Sequence, residues 1–267
     1  MHATEKPGPG IRPTLVKQKL QGKMFLIPSL ITVLGIFCGF LAIMGAFKGN
    51  FEGSVKYIVL ALILDGLDGR VARRLNATSE FGREFDSLSD IVSFGVAPAV
   101  LLYTWAFQHF ADEIGMLVSF SLVVCGGARL ARFNIDTVKR KHFQGLPIPA
   151  QAVTVASLIY FHPTQITDMS VSILLMVYTL LLAGLMVSSV PFISIKNAKF
   201  TDGNPRLNLF VIAILVAVFW YQHRVAFLVA TTAYVFSGPI LAILSSYFPK
   251  SFQKLNSNIF EGQDEAA

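Results

Sequence analysis

Residues 65 to 90 read DGLDGRVARRLNATSEFGREFDSLSD, and this stretch says most about the fold of the chain. It places four aspartates beside long apolar runs: Asp65, Asp68, Asp86 and Asp90. A carboxylate inside a bilayer costs about 3 kcal/mol or more, so four of them need a compensating partner. A multivalent metal ion compensates such a cluster of negative charges at the lowest cost.

The composition of the whole chain is that of a membrane protein. Hydrophobic residues make up 54% of the 267 residues and charged residues only 14%, which is too apolar for a soluble domain of this length. The net charge of +6 does not indicate a nucleic-acid partner, because the basic residues lie in short loops and form no continuous face. They fit the orientation bias of membrane proteins instead.

Apolar runs long enough to cross a bilayer, which takes about 20 residues, recur along the chain. We predict an all-α, polytopic membrane bundle of about eight transmembrane helices, with six or seven as the alternative count. The predicted spans are 25–47, 54–74, 87–108, 114–132, 149–162, 169–192, 207–222 and 224–246. The chain then divides into a flexible cytosolic N-terminal tail at 1–22, one integral membrane domain at 23–248 and a cytosolic C-terminal tail at 249–267.

The distribution of basic residues predicts the orientation. With eight spans and the N-terminus inside, all but three of the 22 lysines and arginines fall on the inner side, the exceptions being Lys48, Lys56 and Arg224. Positive residues favour the cytosolic side. We therefore expect both termini to be cytosolic and the aspartates to form an active site at the cytosolic face.

The spacing of the aspartates places them in pairs. Residues three and four apart lie about 60° and 40° apart around a helix, so Asp65 and Asp68 share a face of the second span. Asp86 and Asp90 share a face of the third, and we expect residues 74–84 to form the turn that joins the two faces. The result is a site of four carboxylates, which suits one or two hard divalent cations.

Small and basic residues accompany the acids. Gly66, Gly69 and Ala72 leave the helix surface bare, so that a ligand or another backbone can approach closely. Arg73 adds a cation, and a phosphate group would fit between that guanidinium and a metal ion. Metal beside a guanidinium at a membrane surface indicates phosphate chemistry.

The stretch resembles the signature of the CDP-alcohol phosphatidyltransferase family, D-x2-D-G-x2-A-R-x8-G-x3-D-x3-D, at every specified position and spacing. The residues that fill it are Asp65, Asp68, Gly69, Ala72, Arg73, Gly82, Asp86 and Asp90. The resemblance implies that a CDP-linked lipid transfers its phosphatidyl group to an alcohol and that CMP leaves.

The same resemblance implies roles for the matching residues. It implies a divalent metal, Mg²⁺ or Mn²⁺, and two ions are expected. The main ligands of the metal correspond to Asp65, Asp68 and Asp86. Asp90 corresponds to a further ligand and to the general base. The positions around the CDP moiety correspond to Gly69, Arg73 and Gly82. A homodimer in the bacterial inner membrane is also what the family implies.

The choice of alcohol must come from outside the signature. Four segments resemble the branch of the family that uses L-serine with CDP-diacylglycerol: 27–39, 87–99, 126–134 and 143–150. In the first of these, Ser29 stands where that branch has Asn. The carboxylate of serine needs a cation and its ammonium group needs an acceptor. The candidates for binding serine are Arg129, Arg132 and Asn134.

Two alternatives stay open at this point. The first is another acceptor within the same family, namely glycerol 3-phosphate, inositol phosphate or choline, and the basic run 139–141 would suit a phosphorylated one. The second is a divalent-cation transporter, because carboxylates within a membrane also mark ion pathways. The position of the acids at one end of their helices, with glycines and arginines beside them, favours the enzyme.

Overall fold

The structure is a computed structural model that describes residues 26–75, 77–109, 112–135, 143–192 and 221–247. Within these ranges the chain forms a bundle of helices, which confirms the all-α architecture. In chain order they are α1 (Leu26–Phe47), α2 (Phe51–Arg74), α3 (Glu80–Phe107), α4 (Asp112–Ile135), α5 (Ile148–Phe161), α6 (Met169–Val187) and α7 (His223–Tyr247). Two short antiparallel strands, β1 (Phe143–Gln144) and β2 (Pro191–Phe192), pair Phe143 with Phe192. The predicted tails at 1–22 and 249–267 lie outside the described residues.

Five of these helices are long and apolar enough to cross a membrane: α1, α3, α4, α6 and α7. Helix α2 has the length but carries the charges of the aspartate stretch, and α5 has only 14 residues. The multi-pass character is therefore confirmed, whereas the predicted count of eight spans is not. Apart from its last two residues, the predicted span at 207–222 lies outside the described part of the chain.

The outer faces of the long helices are apolar. Leu30 is 61% exposed on α1, Leu117 is 69% exposed on α4 and Leu174 is 67% exposed on α6. Contiguous exposed apolar surface is unstable in water but is the ordinary state of a surface that faces lipid. The core lies between the helices and includes Ile58 and Leu101, both fully buried.

The link between the two aspartate helices is shorter than the sequence predicted. Helix α2 continues to Arg74 and α3 already begins at Glu80, so the expectation of a turn through 74–84 was wrong. Ser79 caps α3, because its Oγ accepts a hydrogen bond of 2.9 Å from the Gly82 N–H. The rings of Phe81 and Phe85, one turn apart, stack with centroids 5.7 Å apart. A good cap and an aromatic pair thus make helix out of a segment whose polar residues resemble a turn.

Helix α1 packs against both aspartate helices through small residues. A Cβ added at Gly39 would lie 2.8 Å from the Ser93 Oγ on α3, so only glycine fits there. Ser93 in turn donates to the Gly35 carbonyl at 3.1 Å. On the α2 side, the Ser54 hydroxyl donates to the Ala42 carbonyl at 2.8 Å. These close approaches hold α2 and α3 in fixed positions on either side of α1.

Helix α3 changes its geometry immediately after Asp90. Residues Ile91–Val96 form a π-helical segment, in which the Ala97 N–H bonds to the Val92 carbonyl five residues earlier. Such segments are uncommon and often occur at functional sites. This one lies at the centre of the bundle, where it packs against α1, α2, α4 and α5.

Candidate active site

Three of the four signature aspartates converge between α2 and α3. One carboxylate oxygen from each of Asp65, Asp68 and Asp86 lies within 4.8 Å of the other two. Oxygens around an octahedral Mg²⁺ stand roughly 3–4 Å apart, since metal–oxygen distances are about 2.1 Å. The three side chains therefore fit a hard divalent cation after a small adjustment.

Asp68 is held in place by α1. Its side chain is only 5% exposed, and its Oδ2 accepts a hydrogen bond of 2.8 Å from the Thr32 hydroxyl. Such a bond fixes the orientation of the carboxylate before any ligand arrives. Local sequence carries no signal for this role of Thr32, because the contact joins residues 36 positions apart.

Asp86 carries the clearest sign of a missing positive partner. Its Oδ1 is buried and accepts no hydrogen bond from any described residue. A buried carboxylate oxygen without a partner lowers the stability of the fold by roughly several kcal/mol unless a cation compensates its charge. Two further carboxylates lie close by, so this site is strongly negative and suited to a metal ion.

Asp90 lies deeper in the bundle, one turn beyond Asp86. It does not belong to the cluster of three carboxylates. Its carboxyl group adjoins that of Asp65 at hydrogen-bonding range, and it is also close enough to Arg129 on α4 to interact electrostatically. Asp90 therefore lies next to the metal cluster, beside Asp65.

A cavity of about 440 Å³ opens beside the cluster, within the usual size range of small-molecule sites. Its wall contains the three residues that the signature assigns to the CDP moiety, Gly69, Arg73 and Gly82. Asp68 and Asp86 lie on the same wall. The wall also contains residues of α1 that the sequence analysis did not assign, namely Pro28, Ser29 and Thr32. The segment 27–39 contains them, so the resemblance there was the available signal.

Gly69 leaves room that the protein itself does not use. A Cβ at this position would meet only the Arg73 guanidinium, at an ordinary contact distance of 3.5 Å. Packing among the described residues therefore does not require glycine here, in contrast to Gly39. The free space lies on the cavity side of α2, where a ligand can approach the backbone.

The three predicted serine-binding residues differ in their surroundings. Arg129 is 9% exposed, and its Nε has no hydrogen-bond partner in the described ranges. Arg132 donates to the Val187 and Ser188 carbonyls at 3.2 and 3.5 Å, at the end of α6. Asn134 donates to the Ser87 Oγ at 3.2 Å and to the Glu84 Oε2 at 3.4 Å on α3. Of the three, Arg129 therefore has the most capacity left for a ligand.

One further buried polar residue was not predicted to have a role. Gln151, in the first turn of α5, is fully buried, and neither its Nε2 nor its Oε1 has a partner in the part of the chain that the structure describes. It follows directly after the segment 143–150, and a polar residue in an apolar run was the available signal.

Comparison with known proteins agrees with this site. Residues 25–190 match the sequence profile described as CDP-alcohol phosphatidyltransferase. A protein of Helicobacter pylori named CDP-diacylglycerol–serine O-phosphatidyltransferase is 40% identical over 199 residues, which cover 73% of this chain and 82% of the relative. Proteins of the same name from Bacillus subtilis and Methanocaldococcus jannaschii are 38% and 34% identical, over 65% and 75% of this chain and 93% and 87% of the relatives. On these matches, this chain belongs to the CDP-alcohol phosphatidyltransferase family.

Proposed function

We propose that this protein transfers the phosphatidyl group of CDP-diacylglycerol to the hydroxyl of L-serine, forming phosphatidylserine and CMP. The observation that carries the proposal is the cluster of Asp65, Asp68 and Asp86 beside a cavity, within a chain of this family. The choice of serine is supported by the names of the relatives.

The cavity is the proposed site of the CDP headgroup. Arg73 on its wall offers a guanidinium to a phosphate oxygen, and Gly69 permits close approach to the backbone. Gly82 lies on the opposite helix, so the headgroup would sit between α2 and α3. The diacylglycerol tail would then leave along the exposed apolar faces of the bundle.

We further propose that the carboxylates hold Mg²⁺ or Mn²⁺, with two ions as our expectation and Asp90 as a further ligand. The unpaired Oδ1 of Asp86 supports the need for a cation. When bound, the metal neutralises the diphosphate and stabilises the departing CMP. The protein contributes the orientation of its carboxylates, for which the bond between Thr32 and Asp68 is one example.

Asp90 is the proposed general base. It takes the proton from the serine hydroxyl as the serine oxygen forms a bond to phosphorus and the bond from phosphorus to the CMP oxygen breaks. Its position beside Asp65 of the metal cluster supports this role. Asp90→Asn is expected to abolish CMP release while the protein still folds, and near-normal activity of the purified variant would show that the assignment is wrong.

Arg129 is the proposed partner of the serine carboxylate. A buried guanidinium with an unpaired Nε gains a charge-assisted hydrogen bond when a carboxylate arrives. Arg132 and Asn134 then support the site by holding α4 against α6 and α3. This division follows from the partners that each side chain already has.

The membrane arrangement is also proposed. The five apolar helices fit a multi-pass protein, and the bias of basic residues supports cytosolic termini with the aspartates at the cytosolic face. The bacterial inner membrane and a homodimer are what the family resemblance suggests.

The deciding experiment measures CMP release by the purified protein in mixed micelles of CDP-diacylglycerol. Labelled serine, glycerol 3-phosphate, inositol phosphate and choline are supplied separately, each with Mg²⁺ or Mn²⁺ and each with and without a chelator. Incorporation of serine that disappears with the chelator is expected. Incorporation of another alcohol alone would replace serine as the acceptor, and metal flux in vesicles without CMP release would support a transporter.

A further inference from the structure

Gln151 is buried and has no partner among the described residues, although its carboxamide can both donate and accept hydrogen bonds. It is 0% exposed, and neither Nε2 nor Oε1 is paired within the described residues. A membrane protein cannot satisfy such a group with lipid, so the unpaired amide lowers the stability of the fold. Such a group needs a partner from outside the protein chain, either an internal water or a polar ligand.

Two neighbours of α5 limit the direction in which Gln151 faces. Successive residues of a helix are about 100° apart, so Gln151 lies about 60° from Ile148 and about 120° from Ser157. Ile148 packs on α4, where a Cβ added at Gly126 would lie 3.3 Å from the Ile148 Cδ1. Ser157 faces the other way and hydrogen-bonds to Thr231 of α7 at 2.7 Å. Gln151 therefore points between these two directions, into the part of the bundle where α5 packs against α2 and the π-helical segment.

The side chains of Gln151 and Arg129 lean towards the same level. Helix α5 begins at the end of the bundle where α4 terminates. The backbone N–H of Leu146, just before α5, and the guanidinium of Arg132, near the end of α4, both donate to carbonyls at the end of α6. Side chains tilt towards the N-terminus of their own helix. The Arg129 side chain therefore tilts into the bundle and that of Gln151 tilts back towards the aspartates.

Asp90 lies at a similar depth in the bundle. The next residue, Ile91, packs against α4, where its Cδ1 would lie 3.5 Å from a Cβ added at Gly127.

Serine presents three polar groups, and the proposed function accounts for two of them. Its carboxylate pairs with Arg129 and its hydroxyl faces Asp90, which leaves the ammonium group. An uncharged oxygen is suited to that group, because another carboxylate would add to the negative charge of the cluster. The Oε1 of Gln151 is such an oxygen.

We infer that Gln151 is a specificity-determining residue whose Oε1 accepts a hydrogen bond from the ammonium group of the amino-acid acceptor. The inference rests on the proposed function. Asp90, Arg129 and Gln151 then bind the hydroxyl, the carboxylate and the ammonium group of serine. This three-point attachment selects an amino acid over an alcohol that lacks the amine.

The test compares serine with 3-hydroxypropionate, which keeps the hydroxyl and the carboxylate but lacks the amine. The KM for serine and the inhibition constant of 3-hydroxypropionate are measured for the wild type and for Gln151→Met, a substitution of similar volume. A hydrogen bond to a charged group predicts a rise of about 10- to 100-fold in the serine KM. The inhibition constant of 3-hydroxypropionate and the KM for CDP-diacylglycerol should change far less, so the two acceptors become alike.

Gln165→Met is the matched control, because Gln165 lies at the opposite end of the bundle and its Nε2 donates to the Thr104 carbonyl at 2.9 Å. It should lower the thermal midpoint and leave the serine KM unchanged, whereas Gln151→Met should leave the midpoint unchanged or raise it. If Gln151→Met does not fold, Gln151→Asn retracts the carboxamide by one methylene and should raise the serine KM as well.

The inference is overturned if the wild type uses serine and the Gln151 variants keep its KM, or if both acceptors weaken equally. A lower midpoint with an unchanged KM would mean that Gln151 binds an internal water and supports the fold, which also overturns it. If the wild type releases no CMP with serine, the proposed function itself fails, and the inference fails with it.

Discussion

Several buried polar groups at one end of the bundle are paired, whereas three at the other end have no partner among the described residues. At the end away from the aspartates, the Trp105 Nε1 donates to the His162 and Thr164 carbonyls at 3.0 and 2.8 Å, and the Ser172 hydroxyl donates to the Ala106 carbonyl at 2.7 Å. At the aspartate end, a carboxylate oxygen, a guanidinium nitrogen and a carboxamide are buried without partners among the described residues. They belong to Asp86, Arg129 and Gln151.

The difference separates stability from function. Paired polar groups tie the loop 162–168 to the end of α3 and stabilise the fold. Unpaired ones cost free energy in the empty protein, and that free energy is recovered when a metal or substrate supplies the missing partner. Substitution of paired groups should therefore change stability, and substitution of unpaired groups should change activity.

The largest effect is expected from Asp86→Asn. Loss of one metal-binding oxygen should lower CMP release by about 10²- to 10³-fold. The thermal midpoint in metal-free detergent should not fall, since one of three clustered negative charges is removed. The control is Asp168→Asn at the other end, where Asp168 caps α6 by accepting from the Ser170 N–H at 2.7 Å. Asn caps a helix as well as Asp, so this variant should keep both activity and stability. An active Asp86→Asn would remove the distinction between the two ends.

A smaller effect on activity is expected from Arg129→Met. Losing a charge-assisted hydrogen bond to the serine carboxylate should raise the serine KM by about 10- to 100-fold. Arg132→Met, three residues along the same helix, removes the bonds to the Val187 and Ser188 carbonyls. It should lower the thermal midpoint and change the serine KM much less. Steady-state kinetics with thermal unfolding would decide, and equal KM changes would contradict the separate roles.

Trp105→Phe tests the end of the bundle away from the aspartates, where the polar groups of Trp105 and Ser172 are paired. The substitution removes the donor of the two hydrogen bonds to the His162 and Thr164 carbonyls, which should lower the free energy of unfolding by about 1–3 kcal/mol. Both substrates should keep their KM values, because Trp105 lies far from the cluster along α3. Thermal unfolding and kinetics on the same preparation provide the measurement. A raised serine KM would mean that the two ends are coupled.

The smallest effect is expected from Glu52→Gln. Glu52 pairs with Lys56 at 2.9 Å and with Arg224 at 3.7 Å, but all three side chains are well exposed. Exposed ion pairs contribute little, so neither the thermal midpoint nor CMP release should change measurably. A loss of stability as large as that of Trp105→Phe would show that exposed ion pairs also stabilise the end of the bundle away from the aspartates.

Local spacing predicted much of the candidate site. The separations of three and four residues placed the aspartates on helix faces, and three of them do converge. Gly69, Arg73 and Gly82 all lie on the cavity wall, as expected for residues on the same two helices. The length of the link did not follow from its residues, because capping by Ser79 depends on hydrogen bonds rather than on polarity.

The sequence by itself determined the membrane class of the chain, the helices that carry the acids and the pairing of those acids, because hydropathy and helical period act over short distances. Only the tertiary structure distinguished Arg129 from Arg132, brought Thr32 to Asp68 and left Gln151 without a partner among the described residues. Each of these depends on which helices pack side by side and on what remains to pair with a buried polar group. Partners from distant parts of the chain decide that question, and spacing along the chain does not encode them.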